Sequence, residues 1–214
     1  MECTLCHCAL DDRADAYFYI CKNCGAYVKD NKYYLTASQE KERYEQHQND
    51  VHDARYQQFT SPITEAVFAH QNPEQLGLDY GCGSGPVISY QLSSKDYQVV
   101  LYDPYFHPNP DYLQNRYDYI LSCEVFEHFY QPDKEIRKLI SLLKPGGRLY
   151  IMTHLYSDQY DFERWYYRND PTHVFIYTEK TIHFIADKYQ LAIDVLSERF
   201  IILSKPERSQ NLDQ

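Results

Sequence analysis

In the stretch LDYGCGSGPVISY, residues 78–90, three glycines lie between two apolar segments. The residues before the glycines predict a short buried strand. Pro86 suits the first turn of a helix whose Val87, Ile88 and Leu92 face a sheet. Glycines between a strand and a helix let a ligand approach the backbone closely. The sequence therefore predicts a strand–turn–helix unit with a binding site at the turn.

The spacing of these glycines restricts the ligand. Gly81, Gly83 and Gly85 form G-x-G-x-G, whereas a dinucleotide site has G-x-G-x-x-G, and Pro86 stands where that site needs a small residue. Asp103 ends the next predicted strand, YQVVLYDPYF, and an acid there can bind ribose hydroxyls. The pattern therefore indicates a ligand that contains adenosine rather than a pyrophosphate, although the spacing alone does not name it.

Strands and helices alternate along the rest of the chain. YDYILSC and RLYIMTH predict further strands, and PDKEIRKLISLL and TEKTIHFIADKY predict helices with one apolar face. LAIDVLSE and RFIILSK predict a terminal hairpin. This alternation predicts an open, mainly parallel α/β sheet that binds its ligand beyond the carboxyl ends of the strands.

Two cysteine pairs near the N-terminus have the spacing of a metal site. Cys3 with Cys6, and Cys21 with Cys24, form two C-x-x-C pairs that together offer four thiolates to a tetrahedral zinc ion. Gly25 suits the tight turn that follows the second pair. The segments DAYFYIC and AYVKD predict strands before and after that turn. We therefore expect a small zinc ribbon with a structural role.

Other interpretations of the cysteines remain open at this stage. His7 and Cys8 lie next to the first pair and could replace a zinc ligand, and the thiols could instead be unpaired or form a redox pair. The chain has seven cysteines, an odd number, and no visible secretion signal. These features favour a reducing compartment over a disulfide framework, so we expect a cytoplasmic protein.

Length and charge limit the classes of function. The 214 residues suffice for one domain and a small module, and no stretch of about 18 apolar residues predicts a membrane span. The formal net charge of −10 argues against broad nucleic-acid binding. The predicted organisation is a zinc-ribbon-like module over 1–36, connecting helices over 37–75, a ligand-binding domain over 76–206 and a flexible tail over 207–214.

The connecting segment is predicted to be helical. SQEKERYEQHQNDVHDARYQQF is polar and lacks glycine and proline. It forms either a solvated linker or a lid whose Tyr44, His47 and Tyr56 face a site. Ser61 and Pro62 predict the start of a separate helix, with Ser61 as the N-cap.

Taken together, these motifs resemble those of class I S-adenosylmethionine-dependent methyltransferases. LDYGCGSG resembles the family's first motif, LYDPYF its second-strand motif, YDYILSCEVFEHF its fourth-strand segment and LKPGGRLYIMTH the segment around its fifth strand. The resemblance implies a Rossmann-like sheet with a reversed last strand, and methyl transfer from the sulfonium of S-adenosylmethionine. The cofactor-binding residues we predict are Asp79, Gly81, Cys82, Gly83, Gly85, Asp103, Pro104, Cys123, Glu124, Tyr44 and His47.

One region departs from the family pattern. Only 13 residues separate Asp103 from Tyr117, which leaves little room for the usual third strand and the acid near the adenine. PYFHPNPDYLQNR predicts a loop there. We expect a sheet that is shortened on this side, with Cys123 and Glu124 lining the adenine region instead.

Three histidines are candidates for a general base. His128 follows the fourth strand of the family pattern, His154 ends the fifth, and His173 lies in the loop RNDPTHV. All three fall at the carboxyl edge of the predicted sheet or above it, where a base could take a proton from the methyl acceptor. Each could equally be a structural histidine bonded to the backbone.

The loop after the fifth strand supplies the predicted substrate residues. WYYRNDPTHVFIYTEKTI resembles a segment found in many bacterial small-molecule methyltransferases. Trp165, Tyr167, Arg168 and Asp170 form either a substrate wall or a packed loop. Arg168 could bind an anionic group of the substrate or pair with Asp170.

Three functions are weighed. The acidic charge and the loop after the fifth strand favour a small-molecule methyltransferase. The N-terminus is similar to the zinc module of bacterial ribosomal RNA guanine-N1 methyltransferases, so an RNA base methyltransferase is the alternative. Lys22, Lys29 and Lys32 are the clear basic residues of that module. A non-catalytic cofactor-binding or zinc-interaction protein is disfavoured by the intact glycine turn. The sequence does not identify the acceptor.

Overall fold

The structure is a computed structural model that describes residues 1–46 and 49–207. The predicted site residue His47 and residues 208–214 of the predicted tail lie outside the described residues. The described strands are β1 Asp12–Arg13, β2 Phe18–Ile20, β3 Tyr27–Lys29, β4 Leu76–Tyr80, β5 Gln98–Tyr102, β6 Tyr117–Cys123, β7 Leu143–Met152, β8 Phe175–Ile176, β9 Ala192–Leu196 and β10 Phe200–Ser204. The α-helices are α1 Ala37–Glu45, α2 Ala54–His70, α3 Val87–Ser93, α4 Pro132–Leu142, α5 Tyr166–Asn169 and α6 Glu179–Tyr189.

A six-stranded sheet in the order β5-β4-β6-β7-β10-β9 forms the centre of the molecule. The first four strands are parallel, and β10 inserts antiparallel between β7 and β9. The predicted α/β sheet and its terminal hairpin are therefore confirmed. After β5, the chain forms a short 3-10 helix at Pro110–Gln114 instead of a third parallel strand. The expected shortening on this side is confirmed.

Helices cover both faces of this sheet because its central strands are apolar on both sides. Successive side chains of a strand point to opposite faces. Tyr119 and Leu121 pack in a cluster with Ile63 of α2, whereas Ile120 packs in another with Ile136 of α4. The strands thus read as near-continuous apolar runs, as buried parallel strands do.

The N-terminal segment shares a second sheet with the rest of the chain. Its strands β1, β2 and β3 continue into β8 in a four-stranded sheet, and Tyr27 and Val28 pair with Ile176 and Phe175. Its buried cysteines belong to the same apolar cluster as residues of the large sheet. The predicted ribbon is therefore packed into the domain by both backbone pairing and a common core.

The connecting segment differs from its prediction. It forms two helices, α1 and α2, and α2 starts at Ala54 with Asp53 as its N-cap. The expectation that Ser61 caps a separate helix is wrong, because α2 continues through Pro62. Proline removes a hydrogen bond to the carbonyl four residues earlier. That carbonyl belongs to Gln58, an exposed residue, so water can satisfy it.

Asp133 joins the N-terminal segment to two helices. It lies in the first turn of α4, and its carboxylate accepts hydrogen bonds from Lys188 and, at 2.7 Å, from the Tyr189 hydroxyl of α6. Lys188 also donates to the carbonyl of Leu5 at 2.7 Å. Burial alone would raise the pKa of Asp133, but the hydrogen bonds from Lys188 and Tyr189 outweigh it and lower the pKa.

We expect Asp133→Asn to lower the free energy of unfolding at pH 7 by about 1–2 kcal/mol, allowing for solvent screening. A carboxylate with a lowered pKa in the folded state stabilises the fold above its unfolded pKa of about 3.9, and this stability is lost as the pH falls. Urea unfolding at pH 7 and pH 3 should therefore show a smaller difference from wild type at pH 3. Asp194→Asn, at the half-exposed pair with Arg148, is the control and should change little; equal losses in both variants would contradict the assignment.

Candidate functional site

A cavity of about 1110 Å³ opens at the carboxyl ends of β4, β5 and β6. The glycine turn after β4 and the segment after β5 form one end of it. Residues 123–125 and 127–131, at and after the end of β6, form the other end together with residues 166, 167 and 169–173. Side chains of α1 and α2, among them Tyr44 and Tyr56, line it from the N-terminal side. The sheet topology thus brings the ends of three neighbouring parallel strands to one open cavity.

The turn after β4 requires glycines because its backbone enters the left-handed region twice. Gly81 and Gly83 have φ of +83° and +66°, a conformation that side chains disfavour. A Cβ atom at position 81 would also lie 2.4 Å from Cγ2 of Val125. The amides of Gly81 and Cys82 donate to the carbonyl of Tyr102 at 2.8 and 3.1 Å, which ties the turn to the end of β5. Gly81, Cys82 and Gly83 all line the cavity.

Gly85 is required for a different reason. A Cβ atom there would lie 2.0 Å from the backbone oxygen of Asn49, in the stretch before α2. The group that lies closest to this position is the backbone of Asn49. His52 adds a ring contact with Tyr90 of α3, with centroids 5.0 Å apart. These contacts hold the stretch before α2 over the glycine turn.

Asp103 lies at the cavity with a fixed carboxylate. Its Oδ2 atom accepts a hydrogen bond from the amide of Gly83 at 3.0 Å, and its Oδ1 atom accepts from the amides of Tyr105 and Phe106 at 2.8 and 3.0 Å. Asp103 and the adjacent Pro104 both line the cavity. Because all three donors are backbone amides, the orientation of the carboxylate does not depend on a bound ligand.

Asp79 lies behind the turn rather than at the cavity. It is 3% exposed, and its Oδ2 atom accepts a hydrogen bond from the Ser89 hydroxyl of α3 at 2.7 Å. Burial raises the pKa of Asp79 to about 6, against the lowering effect of Ser89. Among the described residues that line the cavity, Asp79 and Gly85 are absent. Both shape the turn from behind.

The sheet order corrects the expected position of Cys123 and Glu124. Both line the cavity, but β6 lies on the opposite side of β4 from β5. They are therefore separated by a strand from Asp103, and they do not replace the missing acid on its side. The sequence suggested that Cys123 and Glu124 take the place of this acid, because sequence spacing does not show the order of the strands in the sheet.

Two of the three candidate histidines meet at the other end of the cavity. His128 and His173 have ring centroids 4.8 Å apart, and ligand atoms of both lie within 4.8 Å of a carboxylate oxygen of Glu127. Nδ1 of His128 lies 3.1 Å from the carbonyl of Thr172, and Nδ1 of His173 lies 2.6 Å from that of Tyr167. Carbonyls only accept hydrogen bonds, so each Nδ1 carries the proton.

Burial controls the charges in this group. It lowers the pKa of His128, and it lowers the pKa of His173 to about 3 with a further contribution from His128. Burial also raises the pKa of Glu127 to about 7 and that of Glu124 to about 8, and repulsion from the Glu127 carboxylate adds to the rise for Glu124. Both imidazoles are therefore neutral near pH 7, and each Nε2 atom carries a lone pair.

His154 lies outside this group. Its Nε2 atom is 2.8 Å from Glu198, and its Nδ1 atom is 3.1 Å from the Tyr166 hydroxyl and 2.9 Å from the Arg199 guanidinium. It is absent from the described residues that line the cavity. Both ring nitrogens are thus occupied by other side chains, and the geometry gives His154 no access to the acceptor end.

The predicted substrate residues divide in the same way. Tyr167 and Asp170 line the cavity, whereas Trp165 and Arg168 do not appear among its described lining residues. Trp165 is buried among aromatic rings, and its ring stacks on Tyr160 at 5.5 Å.

Arg168 does not form the ion pair with Asp170 that the sequence offered as one alternative. It pairs instead with Asp15 of the N-terminal segment, to which its Nε atom donates at 2.8 Å. Asp170 accepts from Arg43 of α1 at 3.0 Å. The two pairs join the loop after β7 to two different N-terminal elements, which local sequence spacing could not indicate.

Glu127 is a site residue that the sequence analysis missed. It is fully buried in the short 3-10 helix Phe126–His128, and its Oε2 atom accepts a hydrogen bond from the Thr153 hydroxyl at 2.9 Å. Its Oε1 atom has no hydrogen-bond partner among the described residues, and neither has Oε1 of Glu124. The signal was available in the letters EVFEH, because two acids and a histidine lie within five residues.

The four predicted metal ligands also come together. The Sγ atoms of Cys3 and Cys24 are 3.6 Å apart, those of Cys6 and Cys21 are 3.3 Å apart, and all four lie within 4.8 Å of one another. Zn–S bonds of about 2.3 Å place tetrahedral ligands roughly 3.8 Å apart, so the group fits zinc.

The two cysteine pairs form turns of the same geometry. The amides of His7 and Gly25 donate to the carbonyls of Cys3 and Cys21 at 2.9 and 2.8 Å. Both residues have left-handed φ, +62° for His7 and +79° for Gly25. The side chains of His7 and Cys8 are exposed and stand outside the four-thiol group.

A glycine turn at the end of a central parallel strand, an acid at the end of the next strand and a reversed last strand define a Rossmann-like methyltransferase. A family model described as a methyltransferase domain matches residues 51–196, more than half of the chain. The chain belongs to this methyltransferase family. The fold class and the enzyme class predicted from the sequence, an S-adenosylmethionine-dependent methyltransferase, are confirmed.

Solved structures are similar to the chain in fold. The 1,6-didemethyltoxoflavin N1-methyltransferase of Burkholderia thailandensis, solved with 1,6-didemethyltoxoflavin and S-adenosylhomocysteine, has a TM-score of 0.55 and 16% identity, over 93% of this chain and 100% of that one. The N-methyltransferase NodS of Bradyrhizobium japonicum, solved with S-adenosylhomocysteine, has a TM-score of 0.50 and 16% identity, over 83% and 100%.

A third similar structure is longer than this chain. An O-methyltransferase family protein of Burkholderia thailandensis has a TM-score of 0.51 and 14% identity, and the match covers 80% of this chain and 64% of that one. No curated protein matches the sequence significantly. At these identities the likenesses show the fold, and the acceptor is a separate question.

The contact at Gly85 leads to a prediction about the ligand-free protein. We expect Gly85→Ala to lower the free energy of unfolding by about 1–3 kcal/mol, because the new methyl group must displace the Asn49 backbone. Urea unfolding without any ligand measures it. Ser84→Ala, an exposed neighbour in the same turn, should have little effect. Unchanged stability of Gly85→Ala, with a loss only of ligand affinity, would mean that Gly85 is reserved for the ligand.

Proposed function

We propose that this chain transfers the methyl group of S-adenosylmethionine to a small-molecule acceptor. The observation that carries the proposal is one cavity that has the glycine turn and Asp103 at one end and Glu127, His128 and His173 at the other. Ligand pockets typically measure about 300–1,000 Å³, so about 1110 Å³ is enough for a cofactor and a compact acceptor together.

The cofactor fits the end formed by β4 and β5. The backbone of Gly81 to Gly83 lets the methionine part and the ribose lie close to the turn. The carboxylate of Asp103, held by the Gly83 amide, is placed to accept hydrogen bonds from ribose hydroxyls. Cys82 and Pro104 complete this end of the cavity. These roles come from the family resemblance and the positions of the residues in the cavity.

The acceptor then occupies the end formed after β6. Methyl transfer is an in-line displacement, so the cavity must align the donor sulfur, the methyl carbon and the acceptor atom. His128 is half-buried and His173 is buried; both are neutral, and the low pKa of His173 makes its ring a weak proton acceptor. Tyr167 and Asp170 are the predicted substrate residues that remain at this end.

The RNA alternative gains no support from the N-terminal segment. Of its three lysines, Lys22 pairs with Asp12 at 2.6 Å and Lys32 pairs with Asp30 at 3.2 Å. Lys29 is 5% exposed, and its Nζ atom donates to the carbonyl of Pro171 at 2.8 Å. Each lysine is engaged within the protein, so the segment does not present the free basic surface that phosphate groups require.

We also propose that Cys3, Cys6, Cys21 and Cys24 hold one structural zinc ion. The four Sγ atoms all lie within 4.8 Å of one another, near the spacing of tetrahedral zinc ligands, and the paired turns around them are alike. A four-cysteine site has no open position for a substrate, so its role is to hold the N-terminal turns together and to support the small sheet.

The proposed activity is tested by incubating the purified protein with S-adenosylmethionine and fractions of small metabolites or total RNA, and by measuring S-adenosylhomocysteine release. We expect release with a metabolite fraction and none with RNA. Asp103→Asn should bind S-adenosylmethionine at least tenfold more weakly by calorimetry, because it loses the ribose-binding charge. Asp111→Asn, on the surface of the adjacent 3-10 helix, is the matched control.

Thermal unfolding of both aspartate variants shows whether they remain folded. Release of S-adenosylhomocysteine that depends on RNA would overturn the small-molecule proposal. Wild-type affinity in a folded Asp103→Asn variant would remove Asp103 from the cofactor site.

For the zinc site, metal analysis of the purified chain should find about one zinc per chain. Cys24→Ser should lose the metal and lower the thermal midpoint, because three thiolates and a hydroxyl bind zinc poorly. Cys8→Ser changes an exposed cysteine outside the group and should retain both metal and stability. Zinc retained in Cys24→Ser, or lost in Cys8→Ser, would show that the ligand set is assigned wrongly.

A further inference from the structure

We propose that Glu127, His128 and His173 form a divalent-cation site at the acceptor end of the cavity, distinct from the four-cysteine site. Oε1 of Glu127 and the two Nε2 atoms are the proposed ligand atoms. The acceptor would then be a small molecule that binds the cation through a hydroxyl oxygen. This last step rests on the proposed methyltransferase function, whereas binding of the cation does not.

The separations between the ligand atoms fit a single ion. Oε1 of Glu127 lies 3.8 Å from Nε2 of His128, and one ligand atom from each of the three residues lies within 4.8 Å of the others. Two ligands at about 2.1 Å from one ion are roughly 3.0 Å apart at a right angle and roughly 3.4 Å apart at a tetrahedral angle. The 3.8 Å separation is only slightly longer than these values, so the side chains must move closer together when the ion binds.

In each of the three side chains, the polar atom that would not bind the ion already forms a hydrogen bond. Nδ1 of His128 donates to Thr172, Nδ1 of His173 donates to Tyr167, and Oε2 of Glu127 accepts from Thr153. Histidines that bind metals nearly always donate their second ring N–H to a carbonyl or carboxylate in this way. The hydrogen bonds select the tautomer that leaves both Nε2 lone pairs free.

The proposed ligand oxygen of Glu127, Oε1, has no hydrogen-bond partner among the described residues. Oε1 of Glu127 is fully buried and forms no hydrogen bond with the described residues, and the same holds for Oε1 of Glu124, three residues earlier. The Tyr167 hydroxyl is nearby, but its hydrogen bond joins it to Thr153 at 3.0 Å. A buried carboxylate oxygen without a partner is strongly disfavoured. A cation between the carboxylate and the two imidazoles would satisfy it.

The composition of the site indicates which ions it would accept. Two imidazoles and a carboxylate suit Fe²⁺, Mn²⁺ and Co²⁺, and they leave coordination positions open toward the cavity. Glu124 also lines the cavity and could supply a further oxygen. Thiolate ligands, in contrast, are poor ligands for Mn²⁺, so this ion distinguishes the proposed site from the four cysteines.

The open positions indicate what the acceptor must contain. A hydroxyl oxygen bound to a cation loses its proton to water more easily. Its lone pair then forms the O–C bond to the methyl group as the C–S bond breaks, and that electron pair stays on sulfur to give S-adenosylhomocysteine. An acceptor with two neighbouring oxygens would bind best, because both could bind the ion.

The proposal is tested by titrating Mn²⁺ into the purified, zinc-containing chain and measuring free Mn²⁺ by electron paramagnetic resonance. We expect about one Mn²⁺ per chain. His173→Ala and Glu127→Gln should each bind Mn²⁺ at least tenfold more weakly, because each loses a ligand atom. His183→Ala removes a histidine from an exposed pair with Glu179, 3.7 Å away on α6, and should bind as wild type.

Calorimetric titration of the same variants with S-adenosylmethionine separates the two proposals. Retained cofactor affinity shows that the variants are folded and that their loss of Mn²⁺ is local. If the wild-type chain binds Mn²⁺ but transfers no methyl group to any small-molecule fraction, the result counts against the proposed function and not against the cation site. The cation site would be overturned if the wild type did not bind Mn²⁺. It would also be overturned if Glu127→Gln and His173→Ala bound Mn²⁺ as tightly as the wild type.

Discussion

The register between β4 and β5 is the constraint on which the rest of the site depends. Five consecutive residues pair in parallel, from Leu76 with Gln98 to Tyr80 with Tyr102. This register ends both strands at the same level, so the Tyr102 carbonyl meets the glycine turn and Asp103 meets the Gly83 amide. A shift of one residue would turn the side chains of the shifted strand to the opposite face. The cavity therefore exists because apolar side chains on both faces fix this register.

The two ends of the cavity are built by different means. Backbone atoms dominate the end near Asp103, where amides hold the carboxylate and glycines remove side chains from the turn. Side chains dominate the end near Glu127, where the buried Glu127, the half-buried Glu124 and two neutral imidazoles lie close together. Backbone geometry suits a cofactor shared by many enzymes, and side-chain chemistry suits an acceptor that differs between them.

The sequence predicted features that depend on neighbours along the chain. The glycine turn, the two C-x-x-C pairs, the hairpin and the missing third strand were all visible as local spacing. It did not predict what depends on folding. The pairing of Arg168 with Asp15 joins residues far apart in sequence, and α2 continues through Pro62 because its lost hydrogen bond falls on an exposed turn. Glu127 was missed because only burial makes an ordinary carboxylate unusual.

The pairing of β3 with β8 connects the cysteine turns to the loop that carries His173. The Lys29 amide donates to the Val174 carbonyl at 2.9 Å, and the Val174 amide donates to the Glu127 carbonyl at 2.9 Å. A short relay of backbone hydrogen bonds thus runs from the N-terminal turns to the acceptor end. A ligand that binds only the folded state stabilises every element that folds with it. If the four cysteines hold zinc as proposed, zinc supply would in this way set the fraction of chains whose acceptor end is assembled.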